Sequence, residues 1–365
     1  MGPRFATFGV LLAAVACGRS DLLRVAAGEQ VVPGGGAGGS ETGIGGATVF
    51  GGSAGTGGTS MTGGNTGSSG DVVHIVTEYE IPSIRSQPRV IVAGPDGNLW
   101  FTEYNADQIG RITPTGAITE FPVLTQDSGP FGIAAGQDGN LWFAEVLAHR
   151  VGYATTEGMI TEFVLPSEAS LPKGVTVGPD GAPWFTGYLG DDIARITTAG
   201  ISTVLSCGRD GVWVGITTGL DGCLWLTGHG IDSICRISLD GNATIFDLPK
   251  ASSQPWGIAV GPDGNLWFAE YGGNRIGRIT PAGAITEFSI PTADSYPVDI
   301  TAGPDGNLWF TEEAGNNIGR ITPAGIITEY PIPTAGSDPA GITVGTDGNL
   351  WFAEQVGNKI GRINP

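Results

Sequence analysis

The sequence predicts an all-β protein, a seven-bladed β-propeller of four-stranded blades whose last blade is closed by the N-terminal strand. The first observation is a tryptophan that recurs every 41 or 42 residues. The second is that each copy holds four short β-prone runs separated by Gly, Pro and Asp. A period of this length with four strands per repeat is typical of propeller blades. The recurring residues are Trp100, Trp142, Trp184, Trp225, Trp267, Trp309 and Trp351.

The fifth copy shows the pattern of one blade. Its predicted strands are Gly257–Gly261, Asn265–Glu270, Asn274–Thr280 and Ala284–Ile290. An Asp-Gly turn joins the first two runs in every copy, and its glycine supplies the positive φ that a tight turn needs. We therefore interpret this constant part of the repeat as scaffold.

The N-terminal 17 residues resemble a bacterial secretory signal. Arg4 provides a positive charge, and Phe5–Ala16 is apolar but too short to span a bilayer as a stable anchor. The run AVACG around Cys17 is similar to a lipobox, so we expect lipidation of Cys17; ordinary signal cleavage with an incidental cysteine is the alternative. The chain is thus expected to be exported, to face the periplasm or cell exterior, and to meet a membrane only through this lipid.

The segment 18–70 is rich in Gly, Ser and Thr. Such a composition cannot bury enough apolar surface to offset the entropy of ordering, which predicts a disordered linker. The propeller is assigned to residues 71–365. Since the formal net charge is −19, we expect no nucleic-acid partner, because phosphate binding needs a basic surface.

The two ends of the repeat region predict how the ring closes. The run His74–Pro82 matches the fourth strand of a blade, whereas the last copy stops at Pro365 without one. We expect the N-terminal strand to complete the seventh blade, which removes two sheet edges. Ion pairs between third and fourth strands are expected to support the blades. The predicted pairs are Arg111/Glu120, Arg278/Glu287, Arg320/Glu329 and Arg362/Glu78.

One face of the ring is expected to carry function. The turns between strands one and two, and three and four, are nearly constant, whereas the strand two–three turns and the links between blades vary. We call the variable side the funnel face, and it is the better candidate for a site. Two sets of positions matter there. The residues just before strand one, which we call the first site positions, are Arg89, Phe131, Lys173, Val214, Trp256, Val298 and Ala340. The residues at the end of strand two are Glu103, Glu145, Gly187, Gly228, Glu270, Glu312 and Glu354.

We expect the first set to bind a ligand through Arg89, Phe131, Lys173 and Trp256, with Glu312 facing them. Five carboxylates near the ring axis would repel one another unless water, a cation or basic groups moderate them. They are either inherited with the repeat and solvated at the funnel mouth, or a metal site. An acidic sector is also expected from Glu312, Glu354 and Asp338.

Other chemistry is sparse. Of three histidines, His149 and His229 fall in strand two–three turns, where they can reach the funnel face. No HExxH, P-loop, GxSxG or paired CxxC motif occurs. Three cysteines remain after Cys17, namely Cys207, Cys223 and Cys235. One pair could form a disulfide in an oxidising compartment, and the sequence does not choose the pair.

The repeat PxGITxGxDGxLWFxE, followed by NxIGRIT and ITEY, resembles the virginiamycin B lyase (streptogramin lyase) family over residues 71–365. The resemblance implies a propeller that opens the ester of type B streptogramins by elimination, with Mg²⁺. It places the family's two histidines at Val298 and Ala340, so the sequence lacks both. It places two carboxylates at Asp338 and Glu354, which could still hold a cation.

Three hypotheses follow. The first is a monomeric propeller that binds a small-molecule or peptide-like ligand without turnover, because losing a general base typically costs about 10²–10⁴-fold in rate. The second is a divergent Mg²⁺-dependent streptogramin (carbon–oxygen) lyase. The third is a metal-dependent lactonase-type hydrolase that uses the glutamates.

Overall fold

The computed structural model describes residues 74–165, 171–188, 191–197 and 200–365, with the backbone alone at 201–202. The predictions for the signal, Cys17 and the linker lie outside these residues. No helix in the described part of the chain is long and apolar enough to cross a membrane.

The described residues form seven antiparallel sheets of four strands, which confirms the predicted propeller. The first strands of neighbouring blades contact one another in a ring. They are β2 (Pro88–Ala93), β6 (Pro130–Ala135), β10 (Pro172–Val177), β14 (Trp213–Thr218), β18 (Pro255–Val260), β22 (Pro297–Ala302) and β26 (Pro339–Val344). The second strands are β3 (Leu99–Glu103), β7 (Leu141–Glu145), β11 (Pro183–Gly187), β15 (Leu224–Gly228), β19 (Leu266–Glu270), β23 (Leu308–Glu312) and β27 (Leu350–Glu354). The third strands are β4 (Gln108–Ile112), β8 (Arg150–Ala154), β12 (Asp192–Thr197), β16 (Ser233–Ile237), β20 (Arg275–Ile279), β24 (Asn317–Ile321) and β28 (Lys359–Ile363). The fourth strands are β5 (Ile118–Pro122), β9 (Ile160–Val164), β13 (Gly200–Ser206), β17 (Ala243–Asp247), β21 (Ile285–Ser289), β25 (Ile327–Pro331) and β1 (Val76–Glu80).

The N-terminal strand closes the ring as expected. β1 pairs antiparallel with β28, with Val76 opposite Ile363 and Glu80 opposite Lys359. The sheet order β1-β28-β27-β26 therefore joins the two ends of the chain in one blade.

The recurring tryptophans hold neighbouring blades together. Trp100 is fully buried and packs in one cluster with Ile133 and Phe143 of the next blade. Its indole N–H donates to the Asp96 carboxylate of the Asp-Gly turn at 3.0 Å. Thr102 lies two residues later on the same strand, and its hydroxyl donates to the Phe131 carbonyl at 2.6 Å. Strand-two side chains therefore point at the flanking blades.

The predicted Arg–Glu pairs are wrong. Arg111 lies opposite Thr119, and Gly110 lies opposite Glu120, so Arg111 and Glu120 project from opposite faces of the sheet. A shift of one residue in register has this effect because side chains alternate along a strand. The arginines stack on aromatic rings instead, as Arg111 does over Trp100 at 5.6 Å. Their nearest acids belong to the Asp-Gly turns, with Arg278–Asp263 at 3.9 Å and Arg362–Asp347 at 4.0 Å.

The fourth blade carries the expected disulfide. Cys207 follows β13 of the third blade and is bonded to Cys235 on β16 of the fourth, which joins the two blades covalently. Cys223 remains a free, buried thiol.

Candidate ligand-binding funnel

A β-bulge turns the first site position of each blade out of the sheet. In the first blade Pro88 pairs with Glu103 and Ile91 with Phe101, which leaves Arg89 and Val90 opposite the single residue Thr102. The same shift in register occurs at the start of every first strand. Bulges of this kind redirect side chains next to functional sites.

The structure brings together four of the five residues predicted to bind a ligand, all except Glu312. The Lys173 ammonium lies 4.1 Å from the ring centroid of Trp256 and 4.7 Å from that of Phe131. The centroid of the same Phe131 ring lies 5.6 Å from the Arg89 guanidinium. The first, second, third and fifth blades thus contribute side chains to one continuous set of contacts. We call Arg89, Phe131, Lys173 and Trp256 the cation–aromatic row.

Both cations of the row are held inside the protein. Lys173 is 2% exposed, and Tyr188 adds a third ring at 4.3 Å from its ammonium. Arg89 is 7% exposed, lies 5.0 Å from the Tyr104 ring and donates to the side chain of Gln355. Aromatic faces stabilise a desolvated cation through their quadrupole. The row is therefore fixed before any ligand arrives.

A further set of site residues was missed from the sequence. These residues directly follow the second strand of each blade, and they differ from copy to copy. Each backbone N–H donates to the carbonyl of the residue two before the first site position, as from Tyr104 to Gln87 at 3.1 Å. This bond holds each residue beside the first strand. The set is Tyr104, Val146, Tyr188, His229, Tyr271, Glu313 and Gln355. Their variability next to a nearly constant glutamate was the signal that could have found them.

His229 belongs to this set and lies in the wall of the funnel. Its ring centroid is 4.8 Å from that of Trp256, at an interplanar angle of 85°. Burial and, less strongly, the charge of Lys173 together lower its pKa to about 4. Its Nδ1 atom is buried without a hydrogen-bond partner among the described residues. At neutral pH the imidazole is therefore uncharged.

The acidic side of the funnel lies on the sixth and seventh blades. Burial and, less strongly, the Asp338 charge together raise the pKa of Glu313 to about 7, against the opposing charge of Arg89. Burial also raises the pKa of Asp338, again against Arg89. Beside them, Val298 and Ala340 are 8% and 3% exposed. The two positions where the resemblance places the family's histidines therefore hold buried apolar side chains on the acidic side of the funnel.

The interpretation of the strand-two glutamates as carboxylates around the axis is wrong. Because strand-two side chains point at flanking blades, all five are fully buried. Glu312 accepts a hydrogen bond from Asn317 at 3.2 Å, and its carboxyl lies under the turn at Gly315. Burial raises the pKa of Glu312 to about 8. Glu312 thus does not meet the cation–aromatic row on the funnel face.

The residues expected to hold Mg²⁺ do not fit that ion as placed. Burial raises the pKa of Glu354 to about 8, and the nearest charges are Glu78, Lys359 and Glu80 of the outer strands. Asp338 instead interacts with Arg89. Within the described ranges no group of three or more His, Cys, Asp or Glu side chains is placed to bind a metal. A protonated carboxyl turned away from its partner is a poor ligand for a hard cation.

Comparisons with known proteins agree with this architecture. The model of the virginiamycin B lyase family matches residues 58–231 and 209–365. A solved streptogramin B lyase structure is 39% identical with a TM-score of 0.76, and the match covers 80% of this chain and 97% of that one. A catalytically inactive histidine variant of virginiamycin B lyase from Staphylococcus aureus, solved with quinupristin, is 38% identical over 80% of this chain and 99% of that one, with a TM-score of 0.76.

A gluconolactonase-type propeller matches more distantly. It is 15% identical with a TM-score of 0.50, over 79% of this chain and 91% of that one, which supports the fold alone. The family model and the lyase structures together span the seven blades. This chain therefore belongs to the virginiamycin B lyase family.

Proposed function

We propose that this chain is an exported, membrane-anchored propeller that binds a small, peptide-like molecule on its funnel face without opening it. The observation that carries the proposal is the cation–aromatic row, in which Arg89, Phe131, Lys173 and Trp256 are in continuous contact. Buried cations and aromatic rings that are already ordered bind a ligand at little entropic cost. Small-molecule sites are typically lined by apolar and aromatic side chains together with a few polar groups.

The same face offers little for the family's elimination chemistry. A base must remove the proton next to the ester carbonyl, and the positions that the resemblance assigns to the bases hold Val298 and Ala340. Neither side chain accepts a proton. In the Staphylococcus aureus relative, a catalytically inactive histidine-to-alanine variant was still crystallised with quinupristin. Binding and turnover are thus separable in a protein of this family.

The disulfide supports the proposed location. Disulfide bonds persist in oxidising compartments and are rare in the cytosol. The Cys207–Cys235 bond joins two blades and is buried at both cysteines. An exported chain fits this chemistry. The strongly negative charge of the sequence also agrees with a partner other than nucleic acid.

Quinupristin is the probe that tests the proposal. Titration calorimetry of the purified chain should show binding, and mass spectrometry should show no linear product after incubation with or without Mg²⁺. Arg89→Gln combined with Trp256→Leu should abolish binding. Leu220→Ala is the control, because Leu220 is 79% exposed in an Asp-Gly turn on the opposite face. Unchanged affinity of the double variant would reject this site.

A divergent lyase is the second candidate, and His229 is the observation that favours it. A neutral imidazole beside the cation–aromatic row can accept a proton, since its pKa of about 4 leaves it unprotonated. A linear product that disappears in His229→Gln would establish this alternative. A linear product that persists in His229→Gln would point to another base.

A further inference from the structure

Two carboxylates of the first blade lie close together. Glu103 ends β3 and is fully buried, and neither of its carboxylate oxygens has a hydrogen-bond partner among the described residues. Burial and, less strongly, the charge of Glu120 on β5 together raise the pKa of Glu103 to about 8. Buried carboxylates are normally paired or hydrogen-bonded, so this one indicates a site for a cationic partner.

The fifth blade holds the same two acids around a cation. Glu270 and Glu287 occupy the equivalent positions, and the Arg275 guanidinium lies 2.6 Å from Glu270 and 3.5 Å from Glu287. Arg275 is the third-strand residue directly opposite Glu270, and Gln108 holds that place opposite Glu103. The first blade therefore keeps both carboxylates but has a neutral amide where the fifth blade has a positive charge.

The other three blades with a strand-two glutamate differ from the first. The second and seventh blades place the basic residues Arg150 and Lys359 opposite that glutamate. In the sixth blade, Asn317 donates a hydrogen bond to Glu312 at 3.2 Å. Among the five described strand-two glutamates, Glu103 thus faces a third-strand side chain that brings it neither a charge nor a hydrogen bond.

Further oxygen atoms are connected to the Glu103–Glu120 pair. The Glu120 carboxylate accepts the Ser83 N–H at 2.8 Å, and the Ser83 hydroxyl donates to the Gln108 amide oxygen at 3.1 Å. Two carboxylates, an amide and a hydroxyl are ligands that Ca²⁺ accepts in a flexible shell of six to eight oxygens, whereas Mg²⁺ demands a near-ideal octahedron. Ser83, Gln108 and Glu120 are half-buried, so an ion and water can reach the group from solvent.

We propose that the first blade binds a calcium ion between the Glu103 and Glu120 carboxylates, where the fifth blade holds the Arg275 guanidinium. The Gln108 amide oxygen and the Ser83 hydroxyl supply further ligands. A divalent ion balances both carboxylates, so neither has to take up a proton. Because Ser83 lies in the link from β1 to β2, the ion ties the ring closure to the first blade. The site does not depend on the proposed ligand binding, since strand-two side chains point at flanking blades.

Calcium titration of the chelator-treated full chain at pH 8 tests the site. Titration calorimetry should show one ion bound with a Kd of about 10⁻⁵–10⁻³ M, and several-fold weaker binding of Mg²⁺. Saturating Ca²⁺ should raise the unfolding temperature by about 2–6 °C. Glu103→Gln should weaken Ca²⁺ binding at least ~10-fold. Gln108→Arg reproduces the fifth blade, so it should abolish the Ca²⁺ response and raise the unfolding temperature in chelator.

The variants separate this site from general attraction of Ca²⁺ to an acidic protein. Glu80→Ala removes a carboxylate that is 76% exposed and should leave Ca²⁺ affinity unchanged. Since both Glu103→Gln and Gln108→Arg should be at least as stable in chelator as the unaltered chain, misfolding would not account for their lost binding. No Ca²⁺ response in the unaltered chain, or an undiminished response in both variants, would overturn the proposal. Equal losses of affinity in Glu80→Ala and Glu103→Gln would show that Ca²⁺ binds only the acidic surface.

Discussion

The ammonium of Lys173, which is 2% exposed, lies 4.1 Å from the ring centroid of Trp256 two blades further along the ring. The bulge at the start of each first strand turns both side chains out of their sheets, so residues from separate blades meet over the funnel. The same charge acts on His229, whose pKa burial and Lys173 together lower to about 4.

Lys173→Met should raise the pKa of His229 from about 4 towards 6.5. The change removes the positive charge but keeps a long apolar side chain, so burial, the larger cause, still holds the pKa below its ordinary value. NMR titration of the histidine ring signals, assigned with His229→Gln, measures the shift. Arg111→Met on a third strand is the control and should leave the His229 titration unchanged. A His229 pKa that stays near 4 in Lys173→Met would remove Lys173 as a cause.

Glu103→Gln should raise the free energy of unfolding above that of the unaltered chain, and the gain should be about 1–3 kcal/mol larger at pH 8 than at pH 5. Burial, with the Glu120 charge added, raises the pKa of Glu103 from 4.5 to about 8. Below pH 4.5 the Glu103 carboxyl is protonated in both the folded and the unfolded protein. As pH rises through 8, the folded state must ionise a buried group, and its contribution to stability is lost. Gln is neutral at every pH, so urea unfolding of the variant should show a weaker loss of stability between pH 5 and 8.

Glu270→Gln is the matched comparison at the same position of the fifth blade. Glu270 is paired with Arg275 at 2.6 Å, and the Arg275 side chain is only 11% exposed. Neutralising Glu270 leaves a buried guanidinium without this partner, so this variant should be destabilised. Equal effects of the two substitutions would contradict the different environments of the two glutamates.

The fold was predictable because its signals are periodic. The tryptophan spacing gave the blade number, and the unmatched strand at His74–Pro82 gave the closure seen between β1 and β28. The predicted strands were close to those observed, although β18 begins at Pro255, two residues before the predicted Gly257. Local turn chemistry and burial patterns determine all of these features.

Side-chain direction was harder to predict. The position of Trp256 was identified because it differs from copy to copy beside a Pro that six of the seven copies share. The glutamates were assigned to the axis because a sequence does not show that strand-two side chains point at flanking blades. The predicted Arg111–Glu120 pair was wrong because the true register differs by one residue, which places the two side chains on opposite faces of the sheet. Tyr271 was missed because it directly follows Glu270, at the end of the nearly constant part of the repeat.

Glu78→Ala should destabilise the protein by about 1–3 kcal/mol. The Glu78 carboxylate is 11% exposed and accepts hydrogen bonds from the Thr334 N–H at 2.9 Å and the Lys359 ammonium at 3.1 Å. It thus connects the N-terminal strand to the last blade. Glu80→Ala is the control, because Glu80 also lies 3.2 Å from Lys359 but is 76% exposed. Exposed pairs contribute about 0–1 kcal/mol, so equal losses in the two variants would argue against this role for Glu78.

Cys17→Ser should release the protein from membranes. The proposed anchor is a lipid on Cys17, and the chain should otherwise be exported unchanged. Fractionation of cells that express the full chain should place it in the membrane fraction and place the variant in the soluble extracytoplasmic fraction. Cys223→Ser, at a free cysteine of the propeller, controls for the loss of a thiol. A variant that stays with the membrane would reject the lipid anchor.

Val298→His combined with Ala340→His should give the chain streptogramin lyase activity, which we propose that the unaltered chain does not have. The two positions start the first strands of neighbouring blades, and Asp338 precedes Ala340 by two residues. A positioned general base typically contributes about 10²–10⁴-fold in rate, so even partial recovery should be measurable as linear quinupristin by mass spectrometry. Val298→Asn with Ala340→Asn is the matched control, because Asn is polar but does not accept a proton near neutral pH. If the unaltered chain or the Asn variant forms the linear product as fast as the His variant, the proposal that turnover needs histidine at these positions is wrong.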